Sequence, residues 1–532
     1  MNTSRLRRAS VAPLVGGAVL TLALLAGCSV PGTEGSGNQE ETSFKVASTD
    51  PVSLIPGNTW DSKITTALFE APMEIDEETG EPVSAAAASV ESDDQQTWTI
   101  TLEEGNTFHN GEPVTSDSFI RAWNEVALGK NAWLQNGNFS KIEGYADLNP
   151  SEGEPTTKEM SGLVKVSDTE FTVTLTEPYG LFPYQITMPT FSPMPEAAFE
   201  DLEAYGRAPI GNGPYQIVGT YETDEPVTIT RYEDYTGDQG LTDTITFVPY
   251  QSQDTAYNDL LAGNVDIVYP VPPDRLGDVE SKMEGRIATS KIPNLNYLGL
   301  PTWDEQFQDV RLRQALSMAI DRDTFADAIL KGAGSPAEAL APDNVFGASL
   351  NACTTCSFNA AEAKKLLEEA GGWEGQLILY GDQYAGRDQE LQALANQFRN
   401  VLGIEDVTFE INSYARHAEI LDAQGFAGPY QSYMGAYYPH IADFIGNVAT
   451  EHGWANGNNY RNEEVEKLIS EANALPLEES IPLYKQAEEL FWKDQPIIPL
   501  YYGSYTAAWS NNLESVPVGF AGLGDLRDVQ VK

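Results

Sequence analysis

The sequence predicts a mixed α/β protein of more than one lobe, and three observations carry that expectation. Thr97–Leu102 and Phe171–Leu175 alternate apolar and polar residues with period two, as half-buried strands do. Apolar residues also recur at helical spacing in several later segments. Finally, 532 residues exceed the roughly 250–300 at which a single hydrophobic core stops growing. Further along the chain, Ala208–Pro214 and Val271–Pro273 are punctuated by Pro and Gly and suggest lobe boundaries. Val310–Leu330 places Leu312, Ala315, Leu316, Ala319 and Ile320 on one helical stripe. Asn359-Ala-Ala-Glu362 has the form of a capping box, opening a helix through Leu366 and Leu367 that Gly371-Gly372 closes. Val465, Leu468, Ile469 and Ala472 form another stripe, and Leu483, Ala487, Leu490 and Phe491 a third. These stripes read as core-facing surfaces.

The N-terminus reads as an export signal. Arg5, Arg7 and Arg8 precede an apolar stretch, Val11–Leu25, and then Leu25-Ala26-Gly27-Cys28 and a polar run rich in Gly, Ser and Glu. As a helix the apolar stretch would extend about 22 Å, short of the ~30 Å of a bilayer core. Leu-Ala-Gly-Cys resembles the bacterial lipobox, in which the cysteine receives a diacylglycerol and becomes the mature N-terminus. The alternative is a signal peptide with a chance cysteine.

Composition narrows the function classes. The formal charge is −48, which argues against nucleic acid and against a polybasic membrane contact. The acids read as surface solvation, with a cation store as the alternative. No later run approaches a membrane span. Cys353 and Cys356, in Asn351–Ser357, read outside the cytoplasm as a small local disulfide; free or redox thiols and a metal remain alternatives. Two lone sulfurs fall short of the four ligands of a zinc site.

Catalytic constellations are scarce. His109, His417, His440 and His452 are the four histidines, and none has a metal-binding spacing. No G-x-S-x-G elbow, P-loop or dinucleotide fingerprint opens a helix. His440, in Tyr437-Tyr-Pro-His440, reads as a turn histidine bonded locally or, less simply, as a site residue. The 24 Tyr and 9 Trp, grouped for instance in Tyr430–Tyr438, offer flat surfaces that bind without reacting. The residues point to a secreted binder without cofactor or metal; a secreted hydrolase and a surface adhesin or chaperone are the competing readings.

An ordered series of motifs then resembles a known family. It runs from Ala67-Leu-Phe-Glu70, Gly80-Glu-Pro-Val83 and Trp98–Thr115 through Leu175-Thr-Glu-Pro178, Ser192-Pro-Met-Pro195 and Asn212-Gly-Pro-Tyr215. It continues with Leu261–Asp266, Val310–Leu316, Ala319-Ile-Asp-Arg322, Ala363–Gly371 and Pro496–Tyr502. In this order they resemble the oligopeptide/dipeptide-type extracellular solute-binding proteins (family 5) of ABC importers, over nearly the whole chain after Phe44.

The resemblance implies a two-lobed, periplasmic-binding-protein-like (type II) α/β fold with an extra subdomain in the first lobe. It implies a signal peptide at 1–27 and a tether at 28–43, anchored through Cys28. The first lobe would comprise 44–80, 210–296 and 500–532, the subdomain 81–209 and the second lobe 297–499, with crossings near Asn296 and Pro499. It implies a monomer that closes on a short peptide or another polar solute, such as an oligosaccharide, and then docks on the importer's permease subunits.

In such proteins the ligand's main chain pairs with edge segments of both lobes. The matching segments are Asn58, Thr59 and Trp60 on one side and Tyr433, Met434 and Gly435 on the other. Peptide-binding relatives neutralise the ligand's α-amine with an aspartate where this chain has Tyr437. Asp443, six residues on, is the alternative partner. Arg387 falls in a loop where relatives hold a carboxylate with basic residues; the competing reading pairs it with Asp388 or Glu390.

Overall fold

A strand of thirteen residues, Ile497–Trp509, joins two halves of the largest sheet. Its first half pairs antiparallel with Asn294–Gly299, and outward from there lie Tyr430–Gly435, Leu377–Asp382 and Val407–Asn412. Its second half pairs with Ile287–Lys291 and Ile267–Val268, followed by Ser43–Ser48, Thr244–Pro249, Val227–Arg231 and Tyr215–Val218. The run Ile497–Gly503 is buried throughout, which is why it reads as nearly continuous apolar sequence rather than as alternation. Each half contains parallel neighbours, among them Ser43–Ser48 beside Thr244–Pro249, and Leu377–Asp382 beside Val407–Asn412. Open α/β sheets present ligand crevices outside the carboxyl ends of such strands, and those ends are Ser48, Pro249, Asp382 and Asn412.

This computed structural model describes residues 41–532 except 52, 61, 385 and 521. The expected signal peptide, the lipidation site Cys28 and most of the expected tether lie outside the described residues.

Strand partners change a few residues from Asn296 and Pro499, where the crossings are expected. Asn294–Gly299 already pairs with Tyr430–Gly435, and the long strand changes partners between Tyr501, opposite Asn296, and Ser504, opposite Lys291. Pro293 explains the first break, because it has no N–H to continue the ladder from Ile287–Lys291. Gly503 explains the second: its N–H donates to Asn294 Oδ1 at 2.6 Å, and a Cβ there would lie 2.8 Å from Asn294 Nδ2.

A separate four-stranded sheet holds Ala87–Glu91, Thr97–Leu102, Glu170–Thr174 and Leu163–Lys165, in that order. The two alternating segments read from the sequence are neighbours in it. The helix Ser116–Ala127 covers this sheet, with Phe119 stacked on Phe171 at 5.8 Å between ring centres and Trp123 edge-on to Phe171 at 5.6 Å. This unit also touches elements that the sequence assigned to the far lobe. Gly180 N donates to Asn473 O at 2.7 Å, and the hydroxyls of Tyr179 and Tyr438 are 2.9 Å apart. A continuous apolar core therefore runs from Phe44 and Val46 through Trp123 and Phe171 to Phe444, Tyr484 and Phe491. Another core lies beneath Leu298, Leu312, Leu391 and Phe398.

The expected helix at Ala360–Glu369 forms, with Asn359 Oδ1 accepting from Glu362 N at 3.0 Å. Gly371 and Gly372 follow it at φ +100° and +82°, a backbone region that costs glycine nothing. The stripe Val310–Leu330 is not one helix. It breaks after Met318 and restarts at Arg322, because Asp321 caps the new start by accepting from Thr324 N at 3.0 Å. Cys353 and Cys356 are joined in a buried disulfide.

Candidate functional site

Exposed aromatic side chains collect where the two half-sheets meet. On the first side, the turn Pro56–Asn58 leads into extended Thr59 and then Trp60, which is 62% exposed. Thr59 itself is buried, and its carbonyl accepts from Gln135 Nε2 at 2.9 Å. A cavity of about 380 Å³ is lined by Asp50, Thr59, Trp60, Lys63, Tyr250 and Tyr269 among others, beyond the ends of the parallel strands. Lys63 Nζ sits 4.6 Å from the centre of the Tyr269 ring. Asn58 does not join this group. It lines a different cavity of about 420 Å³ with Ile55, Asn131, Trp133, Arg207 and Tyr221.

Tyr505, in the long strand, ties the two sides together. Its ring meets Tyr269 edge-on at 5.5 Å. Burial pushes its hydroxyl up to about 12, and Tyr384 and Tyr433 add to the shift, so these three phenols lie within electrostatic reach of one another. Tyr433 is raised in the same way, by burial first, while a hydrogen bond with Asn294 lowers it. Tyr384 and Tyr433 are 66% and 48% exposed. Tyr384, Tyr505 and Tyr269 escaped the sequence reading. Tyr384 stands inside the loop already singled out for Arg387, and period two from Tyr501 through Gly503 reaches Tyr505; those were the available signals.

The strand Tyr430–Gly435 shows how main chain and side chains divide. Met434 is fully buried, so its side chain belongs to the core. Ala436 N donates to Pro293 O at 2.8 Å. By alternation Met434 and Ser432 face the same partner strand, and the peptide groups of Tyr433 and Gly435 face the opposite edge. On that edge Leu377–Asp382 pairs only at Tyr430, opposite Tyr380, among the described residues.

Two charged residues differ from their expected roles. Arg387 is not free to meet a ligand carboxylate as the resemblance implied. It is buried, and donates from Nε to Asp382 at 3.0 Å and from Nη1 to Glu390 at 2.8 Å. Glu390 also accepts from Gln431 Nε2 at 2.6 Å and Tyr501 at 3.1 Å. The reason is local: Gly386 starts the helix Arg387–Gln397, which puts Arg387 and Glu390 one turn apart. Asp443 is likewise engaged. Its carboxylate accepts from Tyr437 N at 2.5 Å and Asn447 Nδ2 at 2.8 Å, bracing the loop that presents Tyr437, itself 51% exposed.

Burial pushes the Asp443 carboxyl up from 3.8 to about 6, with the hydrogen bonds from Tyr437, Asn447 and Tyr438 pulling the other way. The folded protein thus holds this proton more tightly than the unfolded chain. The stabilisation is complete below pH 3.8 and lost as pH rises through about 6. Asp443→Asn keeps an acceptor for Tyr437 N and removes the charge. The variant is expected to melt above wild type at about pH 7 and level with it near about pH 4; parallel melting curves at both pH values check this.

His440 is a wholly buried cap, its Nδ1 accepting from Ala442 N at 3.1 Å between the rings of Tyr184, Phe346 and Tyr484. Burial depresses it to about 3. That is the locally bonded turn histidine of the sequence reading.

With this geometry in view, the comparisons are direct. Residues 81–456 match the profile of the bacterial extracellular solute-binding proteins, family 5 (middle). The periplasmic oligopeptide-binding protein OppA of Salmonella typhimurium (strain LT2) is 25% identical over 467 residues, 83% of each chain. The probable deoxycholate-binding periplasmic protein YgiS of Escherichia coli (strain K12) is 25% identical over 473 residues, 85% of this chain and 86% of that one. The unliganded open form of the periplasmic murein tripeptide-binding protein MppA superposes with a TM-score of 0.83 at 21% identity, over 92% of this chain and 98% of that one. The motif series, the sheet joined by one long strand and the profile match agree: the chain belongs to the family 5 bacterial extracellular solute-binding proteins.

Proposed function

We propose that this protein is the lipid-anchored receptor of an ABC importer and that it captures short peptides between its two half-sheets. The open edge of Tyr430–Gly435 carries the reading. Tyr433 and Gly435 present peptide groups there that an extended ligand can pair with as an added strand. Thr59 and Trp60 form the opposing wall and Tyr437 the mouth. Pairing through the main chain reads no side chain, which suits a receptor of many peptides. OppA, the relative described above, binds oligopeptides by name.

The two crossings, at Ile292–Pro293 and Tyr502–Ser504, serve as the hinge. Closure is driven by ligand that contacts both lobes and so binds the closed form better than the open one. The lobes divide at these crossings, with 81–209 as the first lobe's subdomain. A diacylglycerol on Cys28 holds the protein at the outer face of the cell membrane, where the closed monomer docks on the permease. It performs no covalent chemistry.

Native mass spectrometry of the chain beginning after Cys28, with sequencing of what co-purifies, tests the cargo. A ladder of short peptide masses is expected. A single non-peptide mass, such as an oligosaccharide, would end the peptide reading and leave the receptor role intact.

A further inference from the structure

The charge beneath the tyrosines has the opposite sign from the one the family resemblance led to. Asp382, Arg387 and Glu390 form a bonded group of one guanidinium and two carboxylates, one negative charge in excess. Glu390 is buried and spends both oxygens, on Arg387 with Gln431 and on Tyr501. Asp382 is the member that reaches out. Its side chain is 23% exposed against 7% for Arg387, and it ends a parallel strand at the carboxyl edge where crevices form. Burial lowers the pKa of His417, against the pull of Asp382. Lys63, the basic residue of the facing cavity, lies against Tyr269 on the first lobe.

Tyr384 stands beside this group, with the exposed phenols of Tyr433 and Tyr505 near Tyr384 in turn. Tyr384 has the Arg387 guanidinium 5.4 Å from its ring centre and is otherwise open to solvent. Tyr433 and Tyr505 are also exposed and lie within electrostatic reach of Tyr384. Aromatic faces carry negative potential and attract cations. A partly buried excess charge is screened less than a surface one.

We propose that this corner is a subsite for a cationic group of the ligand, an ammonium or guanidinium, held by the Asp382 carboxylate and the faces of Tyr384, Tyr433 and Tyr505. It deepens the receptor reading and rests on that cleft being where ligand sits. It also assigns a specificity to a main-chain binder: peptides with a basic residue at this position are preferred, and acidic ones are turned away.

Calorimetric titration with Ala-Lys-Ala, Ala-Ala-Ala and Ala-Glu-Ala tests it. The lysine peptide is expected to bind about tenfold tighter than the neutral one, and the acidic peptide weaker still. Tyr384→Leu, at an exposed position, and Asp382→Asn, which keeps an acceptor for Arg387 Nε, should bring lysine and alanine peptides level. Equal affinities in wild type, or variants that weaken all three peptides alike, overturn the subsite while the peptide reading stands. If none of the three binds, the peptide reading is what fails. n-Butylammonium against butyrate, followed by saturation-transfer NMR, then decides the subsite alone: selective contact with the ammonium that Tyr384→Leu abolishes upholds it, and no such selectivity sinks it.

Discussion

Replacing Arg322 by methionine is expected to cost about 3–5 kcal/mol of stability, read from denaturant unfolding. The guanidinium is 4% exposed, and no carboxylate lies within ion-pair distance of it among the described residues. It is held instead by oxygens of three separate segments. Nε donates to Pro499 O at 2.7 Å, Nη1 to Ser317 O at 3.2 Å and to Cys356 O, and Nη2 to Ser317 Oγ at 3.1 Å. One side chain thus joins the end of the Val310–Met318 helix, the long strand and the disulfide loop. Burial lowers its pKa from 12.5 to about 9, the mark of a charge held at a cost, with Glu338 offsetting part of it. Methionine fills the volume of the stem but leaves those carbonyls buried without donors, and that desolvation penalty is the larger part of the loss. Arg322→Lys offers donors from one point rather than a planar fork and should recover only part of it. A loss below about 1 kcal/mol for the methionine variant would show that water replaces the guanidinium.

The second large effect concerns ligand selection. Tyr437→Asp is expected to raise affinity for peptides with a free α-amine about tenfold, and to leave their N-acetylated counterparts unchanged. Tyr437 is half exposed, and its own N–H is already fixed by Asp443, so the loop that presents position 437 is in place before substitution. A phenol can face an ammonium but cannot neutralise it, whereas a carboxylate can. Titration of the matched peptide pair against wild type and variant reads the difference. An equal change for both peptides would mean that the α-amine sits elsewhere in the cleft, and that the residue in this place no longer selects it.

Much of the fold was legible because it was written locally. The period-two runs at Thr97–Leu102 and Phe171–Leu175 became adjacent strands. The Asn359 cap and the glycines after Glu369 bounded a helix as read, because capping is satisfied by atoms within one turn. The continuous stripe Val310–Leu330 misled because periodicity counts apolar residues and does not see a side chain such as Asp321 capping a new start in mid-run. The segments Thr59–Trp60 and Tyr433–Gly435 were proposed through family resemblance, while Asn58 falls on the far side of its own turn, in another cavity.

By itself, then, the sequence determined the α/β class, the family, the strands and helices fixed by local pattern, and the acidic character of the chain. Only the tertiary structure decided what the charges do. Arg387 is consumed by Asp382 and Glu390, Asp443 by the amide of Tyr437, and Tyr384, Tyr433 and Tyr505 come within electrostatic reach of one another from segments far apart in the chain. The physical reason is range. Secondary structure is settled by neighbours within a turn or a strand period, whereas the availability of a charge to a ligand depends on every group that folding brings within a few ångströms of it.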